Sequence, residues 1–309
     1  MATHCDHLKD SLVEKVVALI RSRLAPAAQG SAERLWRAYY ANVSPEDILR
    51  REPEALYGSV MALFAFARQR LPGSPKLRVY QPGPEQGGWD CEHSVIQLVN
   101  DDMPFLVDSL TAALQRLEIG LRLVVHPILT VLRDAEGGLL DILDGSAPGA
   151  RLESVMHIEI ERRPAAANAL LAEQLTAVLA DVRAAVEDWF PMRERLRDAF
   201  GELAVVPAGI EPAEAQEARD FLHWLFDDHF TLLGVREIDF DPADGRIHVD
   251  PSSGLGLLRD PGLRVFDEGR DLAAMPPEVG AFLRRPNLLL LAKADRVSTV
   301  HRPVPMDIV

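Results

Sequence analysis

The junction between residues 93–99 and Leu110 restricts the fold more than any other stretch. Residues 93–99 are mostly apolar and do not alternate, the pattern of a strand buried on both faces. The run passes through the turn Asn100-Asp-Asp-Met-Pro-Phe105 into a helix with Leu106, Leu110, Ala113, Leu114 and Leu117 on one face. The chain therefore needs a sheet with cover on both sides at that point. Its 309 residues suggest two domains at roughly 150 residues each. Chains of this size bury about 75% of their unfolded surface and need no staples.

Charge excludes some partners. Lys and Arg number 33 against 47 Asp and Glu, a formal net charge of −14. Such a field repels nucleic-acid phosphates and anionic membrane surfaces. The two cysteines, Cys5 and Cys91, make no disulfide framework, which points to the reducing cytoplasm. The first ten residues are polar and lack the apolar core of a signal peptide. The longest apolar runs, such as 288–292, are far too short to span a bilayer.

The N-terminal part reads as helical. Residues 8–24 carry Leu8, Leu12, Val16, Leu19 and Ile20 at helical spacing, and a break follows over 25–30. A second short helix carries Leu35, Trp36, Tyr39 and Tyr40, an aromatic stripe expected to be core. Ser44-Pro-Glu-Asp47 reads as a capped helix start, with a further helix over 53–70. Strands are expected at 76–81 and 93–99. A single long strand is expected over 121–132, with Pro127 at an edge or bulge, and Gly120 ending the helix before it. After a turn at 134–138, residues 152–161 alternate. Met156, Ile158 and Ile160 face one way, and His157, Glu159 and Glu161 face a wetter side. A long helix follows from Pro164 until Pro191 closes or kinks it. Residues 193–214 read as a helical connector broken at Pro207–Pro212. After a helix through Phe221, Leu222, Leu225 and Phe226, strands are expected at 230–240, 246–250, 287–293 and 297–301.

From residue 93 the order strand, helix, strand, turn, strand, helix resembles the βαββαβ plan of ACT domains, small-molecule sensors with helices on one face of a sheet. No strand is evident after Trp189, and residues 76–81 are available to take its place. Several strings resemble, in order, the large NAD-specific glutamate dehydrogenases of bacteria: Val43-Ser-Pro-Glu-Asp47, Leu56-Tyr-Gly58, Asn100 to Leu110, His126-Pro127, Phe221 to Gly234, Ser253-Gly-Leu-Gly256 and Ser298-Thr-Val-His-Arg302. The resemblance covers roughly residues 35–309. It implies an α+β fold: a helical N-terminal segment (1–72), an ACT-like βαββα sandwich (73–191), a helical connector (192–220) and a second mixed, strand-rich unit (221–309), the last expected to be truncated. It also implies a non-catalytic regulatory and assembly region that senses amino acids or metabolites. NAD and the oxidative deamination of L-glutamate to 2-oxoglutarate would belong to a catalytic domain outside this chain. The partners implied are that catalytic domain, further copies of the chain and an amino-acid effector. A module that only assembles and binds nothing is the first rival reading. The second is a stand-alone acid–base enzyme using Asp101, Asp102 and His126.

The resemblance places candidate effector contacts at Asn100, Asp101, Asp102, Met103, Pro104 and Phe105. ACT domains commonly read Asp-x-Pro-Gly there, and Phe105 stands in the glycine's place. A helix N-terminus offers free N–H groups to a carboxylate, whereas cap chemistry at Asp102 with Phe105 in the core needs no ligand. His126, His157, Glu159 and Glu161 form a possible cluster on neighbouring strands, but their spacing fits no metal motif. His4-Cys-Asp-His7 sits in a polar terminus and falls short of a closed zinc site. Asp227-Asp228-His229 reads as a solvated helix end. Gly254-Leu-Gly-Leu-Leu-Arg259 begins like a dinucleotide fingerprint, but Arg259 replaces the third glycine and no βαβ unit surrounds it. No catalytic, cofactor or metal residue is assigned.

Overall fold

The structure is a computed structural model that describes residues 4–83, 89–241, 246–260, 262 and 287–309. The chain forms two compact units, Met1–Met103 with Ala113–Ala177, and Pro104–Ala112 with Val178–Val309.

The first unit opens with four helices: α1 (His4–Arg23), α2 (Pro26–Ala41), α3 (Pro45–Ile48) and α4 (Pro53–Ala67). Three of them, α2, α3 and α4, begin with proline at the first helical position, where its missing N–H costs nothing. The break expected over 25–30 is therefore a corner at Ala25, and α2 starts at once on Pro26. At Ser44 the helix start holds, but the serine side chain makes no cap bond. Trp36, Tyr39 and Tyr40 are buried and pack edge to face, with Trp36 donating to the Val13 carbonyl. The aromatic stripe is thus core.

The strands of this unit are β1 (Lys76–Tyr80), β2 (Ser94–Asp101), β3 (Leu121–Val125), β4 (Ile128–Arg133), β5 (Leu139–Leu143) and β6 (Arg151–Ile160). They form one antiparallel sheet ordered β1-β2-β6-β4-β5, with β3 also paired to β6. Strand β1 pairs with β2 on the edge away from β6. That is where a βαββαβ sandwich would place its closing strand, so residues 76–80 fill it from the N-terminal side. The single strand expected over 121–132 is two. Pro127 has no N–H to donate and interrupts them, while its carbonyl accepts from Val155 N. Both pieces pair along β6. The edge strand β5 was not expected at all.

The wetter face expected for β6 is also overturned. Every residue from Glu153 to Ile160 is buried. Helix α2 packs on β4 and β5, and α4 packs on β2. A single core joins Trp36, Leu56, Leu63 and Phe64 of the helices to Val99, Val125, Leu129, Val131, Ile142 and Val155 of the sheet. The alternation is real, but this helical layer covers the face that carries Val155, His157 and Glu159.

The chain passes between the units at Met103–Pro104, within α5 (Leu106–Arg116) and within α6 (Ala165–Glu187). The left-handed residue after α5 is Glu118, with φ 54°, not Gly120. Helix α6 ends before Pro191, which sits in the first turn of α7 (Trp189–Glu202), where proline is tolerated. The expected connector is α7 plus the start of α8 (Pro212–Trp224), and α7 packs against α8. An irregular turn, Leu225–His229, follows with Asp228 at φ 61°.

Strands in the second unit are short pairs: β7 (Gly234–Val235) with β10 (Leu255–Gly256), β8 (Ile238–Asp241) with β9 (Arg246–Val249), and β11 (Ala292–Val297) with β12 (Pro305–Ile308). The strands expected at 287–293 and 297–301 are replaced by β11, which straddles both. Residues 298–302 form a loop instead. Asp188 anchors this unit by accepting from Gly256 N at 2.7 Å and from Arg259 Nε and Nη2 at 2.5 and 2.6 Å. Gly256 has φ 60°, and a Cβ there would collide with the Leu233 carbonyl. The dinucleotide-like string therefore holds a β-pair and an ion pair together.

Candidate effector site

Strand β2 delivers the first residues of the turn. Asn100 is buried opposite Ser154, and Asp101 lies opposite Glu153. Asp101 is held firmly, with Oδ1 2.5 Å from Arg70 Nη2 and Oδ2 accepting from Gly73 N at 3.0 Å. Asp102 continues the strand edge by donating its N–H to the Leu152 carbonyl. Its Oδ1 accepts from Ser154 Oγ at 2.7 Å, and the same Oγ lies 3.0 Å from His126 Nε2.

Asp102 and His126 were separate candidates in the sequence. Ser154, which carried no sequence signal of its own, joins them. Its one hydroxyl proton goes to Asp102, so His126 must donate from Nε2 and leave Nδ1 bare. Burial lowers the His126 pKa and Asp102 opposes that shift, so the imidazole is neutral at pH 7. A neutral histidine, a serine and a carboxylate thus form one hydrogen-bonded row beside the turn.

Phe105, the last residue of the turn, belongs to the second unit. It has φ 70°, the left-handed conformation in which glycine is easy and an aromatic residue is strained. Phe105, which stands where the Asp-x-Pro-Gly pattern has glycine, thus holds a backbone shape that glycine adopts readily, with a phenyl ring attached. The ring is half-buried, 4.9 Å centroid to centroid from His301, and the Phe105 carbonyl accepts from Ser109 N to begin α5.

Two buried charge clusters lie in the first unit. Arg133 grips Glu153 through Nε and Nη2, both at 2.7 Å, and Arg70 Nη1 reaches the same carboxylate at 2.6 Å. Arg133 Nη2 also donates to the carbonyl of Ala67 at the end of α4. Asp101 completes this cluster through Arg70, so two carboxylates face two guanidinium groups. The turn is thereby wired to the C-terminal end of α4, where cations also complement the helix dipole.

In the second cluster Arg51 clasps Glu159 at 2.6 and 2.7 Å, and His157 Nε2 lies 3.3 Å from Glu159 Oε1. Burial pushes the Glu159 pKa up, but the bonds from His157 and Arg51 outweigh it and hold it at about 2. Burial lowers the His157 pKa, so its ring is neutral and donates from Nε2. The bond to Glu159 raises the Arg51 pKa. Of the four-residue cluster expected from sequence, only His157 and Glu159 meet. His126 belongs to the Ser154 row, and Glu161 is exposed beside Arg122 at 3.4 Å.

Elsewhere, Cys5, Asp6 and His7 lie in α1, and the side chain of His4 is outside the described residues. Asp228 pairs with Arg193 at 3.2 Å, Asp227 with His223 at 3.2 Å, and His229 stacks on Trp224. That is an exposed helix end made of separate pairs.

Residues 35–175 match the family described as "Glutamate dehydrogenase, ACT1 domain". An NAD-specific glutamate dehydrogenase of Halomonas elongata is 34% identical over 308 residues, covering 96% of this chain and 19% of its own length. The Pseudomonas aeruginosa protein of the same name is 33% identical over 88% of this chain and 17% of its own. That of Mycobacterium tuberculosis is 30% identical over 72% and 14%. The chain thus spans less than a fifth of the length of the curated relatives it matches.

Proposed function

Through residues 35–175 the chain belongs to the glutamate dehydrogenase ACT1 domain family, and from that premise we propose that it is a regulatory and assembly region of a large NAD-specific glutamate dehydrogenase. In this reading the parent oxidatively deaminates L-glutamate to 2-oxoglutarate in the cytoplasm. Its NAD site lies in a catalytic domain outside this chain, and the chain contributes control and contacts between copies. The turn Asn100–Phe105 senses an amino acid.

One observation carries the sensor reading. Asp102, Ser154 and His126 form a hydrogen-bonded row at the end of β2, beside the turn that resembles the Asp-x-Pro-Gly ligand loop of ACT domains. A carboxylate such as Asp102, held by a serine and close to a neutral histidine, suits the ammonium group of an amino acid. The acid–base enzyme reading is weaker because Asp101 is already neutralised by Arg70.

Calorimetric titration of the folded chain with each common amino acid tests the proposal. Binding of one or more, lost in Asp102→Ala, is the expected result. No heat from any amino acid would favour the rival reading, a module that only assembles. That rival draws support from the buried ion pairs around Arg70 and Arg51, which need no ligand to be complete.

A further inference from the structure

The second unit holds a contact that neither the family nor the sequence pattern accounts for. His301 lies in the loop 298–302, with φ 65°, and it meets the first turn of α5 in three ways. Its backbone N–H donates to Ser109 Oγ at 3.0 Å. Its ring packs 4.9 Å from Phe105 at an interplanar angle of 49°. Its Nδ1 is 3.4 Å from Asp108 Oδ2.

The loop is built to present that residue. Ser298 Oγ donates to the Val300 carbonyl at 2.7 Å and accepts from Val300 N at 3.1 Å, which folds the loop on itself. Val300 is buried, and Thr299 Oγ1 is tied to Asp181 of α6 at 2.7 Å. Two non-glycine residues, Phe105 and His301, are both left-handed and face each other. Strain of that kind persists only where surrounding contacts over-determine it.

We propose that the loop 298–302 is a strap: it occupies the start of α5 with His301 and must release when an effector binds there. The inference rests on the effector reading of the turn ending at Phe105 and adds the regulation of that site. Because the strap and an effector compete for the first turn of α5, the strap sets a threshold on affinity. Its release is also the step that carries binding to β11 and β12, which flank the loop.

The test uses the whole chain and two variants, His301→Gly and His301→Asn. Both residues accept a left-handed backbone, so the loop keeps its path while the ring contact is lost. Each protein is titrated calorimetrically with the common amino acids, and the wild type is followed by hydrogen exchange over residues 298–304. Circular dichroism confirms folding. The amino acid that binds wild type should bind both variants about fivefold more tightly, the equilibrium equivalent of one lost aromatic pair. The same amino acid should speed exchange over 298–304 in the wild type. Equal affinity in all three proteins, or unchanged exchange in the loop, overturns the strap and leaves the effector reading standing. No binding by any of the folded proteins overturns both.

Discussion

Replacing Arg51 with Met tests the physical account of the covered sheet face. Arg51 makes two short hydrogen bonds to Glu159, whose side chain is 1% exposed. In the variant, among the described residues, the buried carboxylate keeps the neutral His157 alone as donor. Removing one partner of a buried pair typically costs about 3–5 kcal/mol, a large part of the roughly 5–15 kcal/mol that holds a domain folded. The pKa gives an independent figure. Glu159 titrates at about 2 in the folded protein against 4.5 in the unfolded chain. That difference corresponds to about 3 kcal/mol of stability. Because the folded value is depressed, this contribution is complete above pH 4.5 and is lost as pH falls through 2. Over that window the wild type loses stability on acidification. In Arg51→Met, Glu159 loses its charged partner and titrates higher, so the loss begins at higher pH and the plateau is lower. Urea unfolding followed by hydrogen exchange over 151–160, from pH 2 to 8, reads both effects. A variant within 1 kcal/mol of wild type at pH 7, with the same acid profile, would refute the claim that this pair fastens the helical layer to the sheet.

Two further perturbations probe the same unit. Glu153→Gln removes a carboxylate that serves both Arg70 and Arg133, leaving buried positive charge, and should lower unfolding stability by about 3–5 kcal/mol while freeing Asp101 to move, visible as faster exchange over 100–103. Gly58→Ala places a methyl group against the Cβ of Trp89, so α4 or the Trp89 segment must shift. Overpacking of about 1–3 kcal/mol and a changed tryptophan emission are expected, and an unchanged melting curve would show that this approach is looser than described.

Local pattern made much of this fold readable. Helices α1, α4, α5 and α6 and strands β1, β2 and β6 follow from periodicity, because each buries a face that the sequence displays. What escaped depends on distant partners. His157 and Glu159 read as wet because polar residues at alternate positions ordinarily face water. Their burial depends on Arg51, which lies 108 residues away, and on a helical layer whose docking face has no local signature. Strand β5 escaped because Asp141 sits inside it, satisfied by Ser31 and Arg34 of α2. In the candidate site, the motif gave Asp102 but not Ser154, since a serine within a strand looks like any other. Phe105 showed as a substitution in the family pattern. Its left-handed backbone and its ring contact with His301 depend on a loop whose His301 lies 192 residues beyond Ser109.

The position of β1 has a consequence for how the chain assembles. A closing strand drawn from beyond α6 would pair with β2 only after most of the sandwich had been made. Here the edge partner precedes β2, and the two are joined as a hairpin, Tyr80 opposite Val95. Local pairings close cheaply and early, because loop entropy grows with the length enclosed. As the chain leaves the ribosome, the helical layer emerges first, then β1, then β2. The β1–β2 pair can thus close before β6, the last of the six strands to be made, enters between β2 and β4.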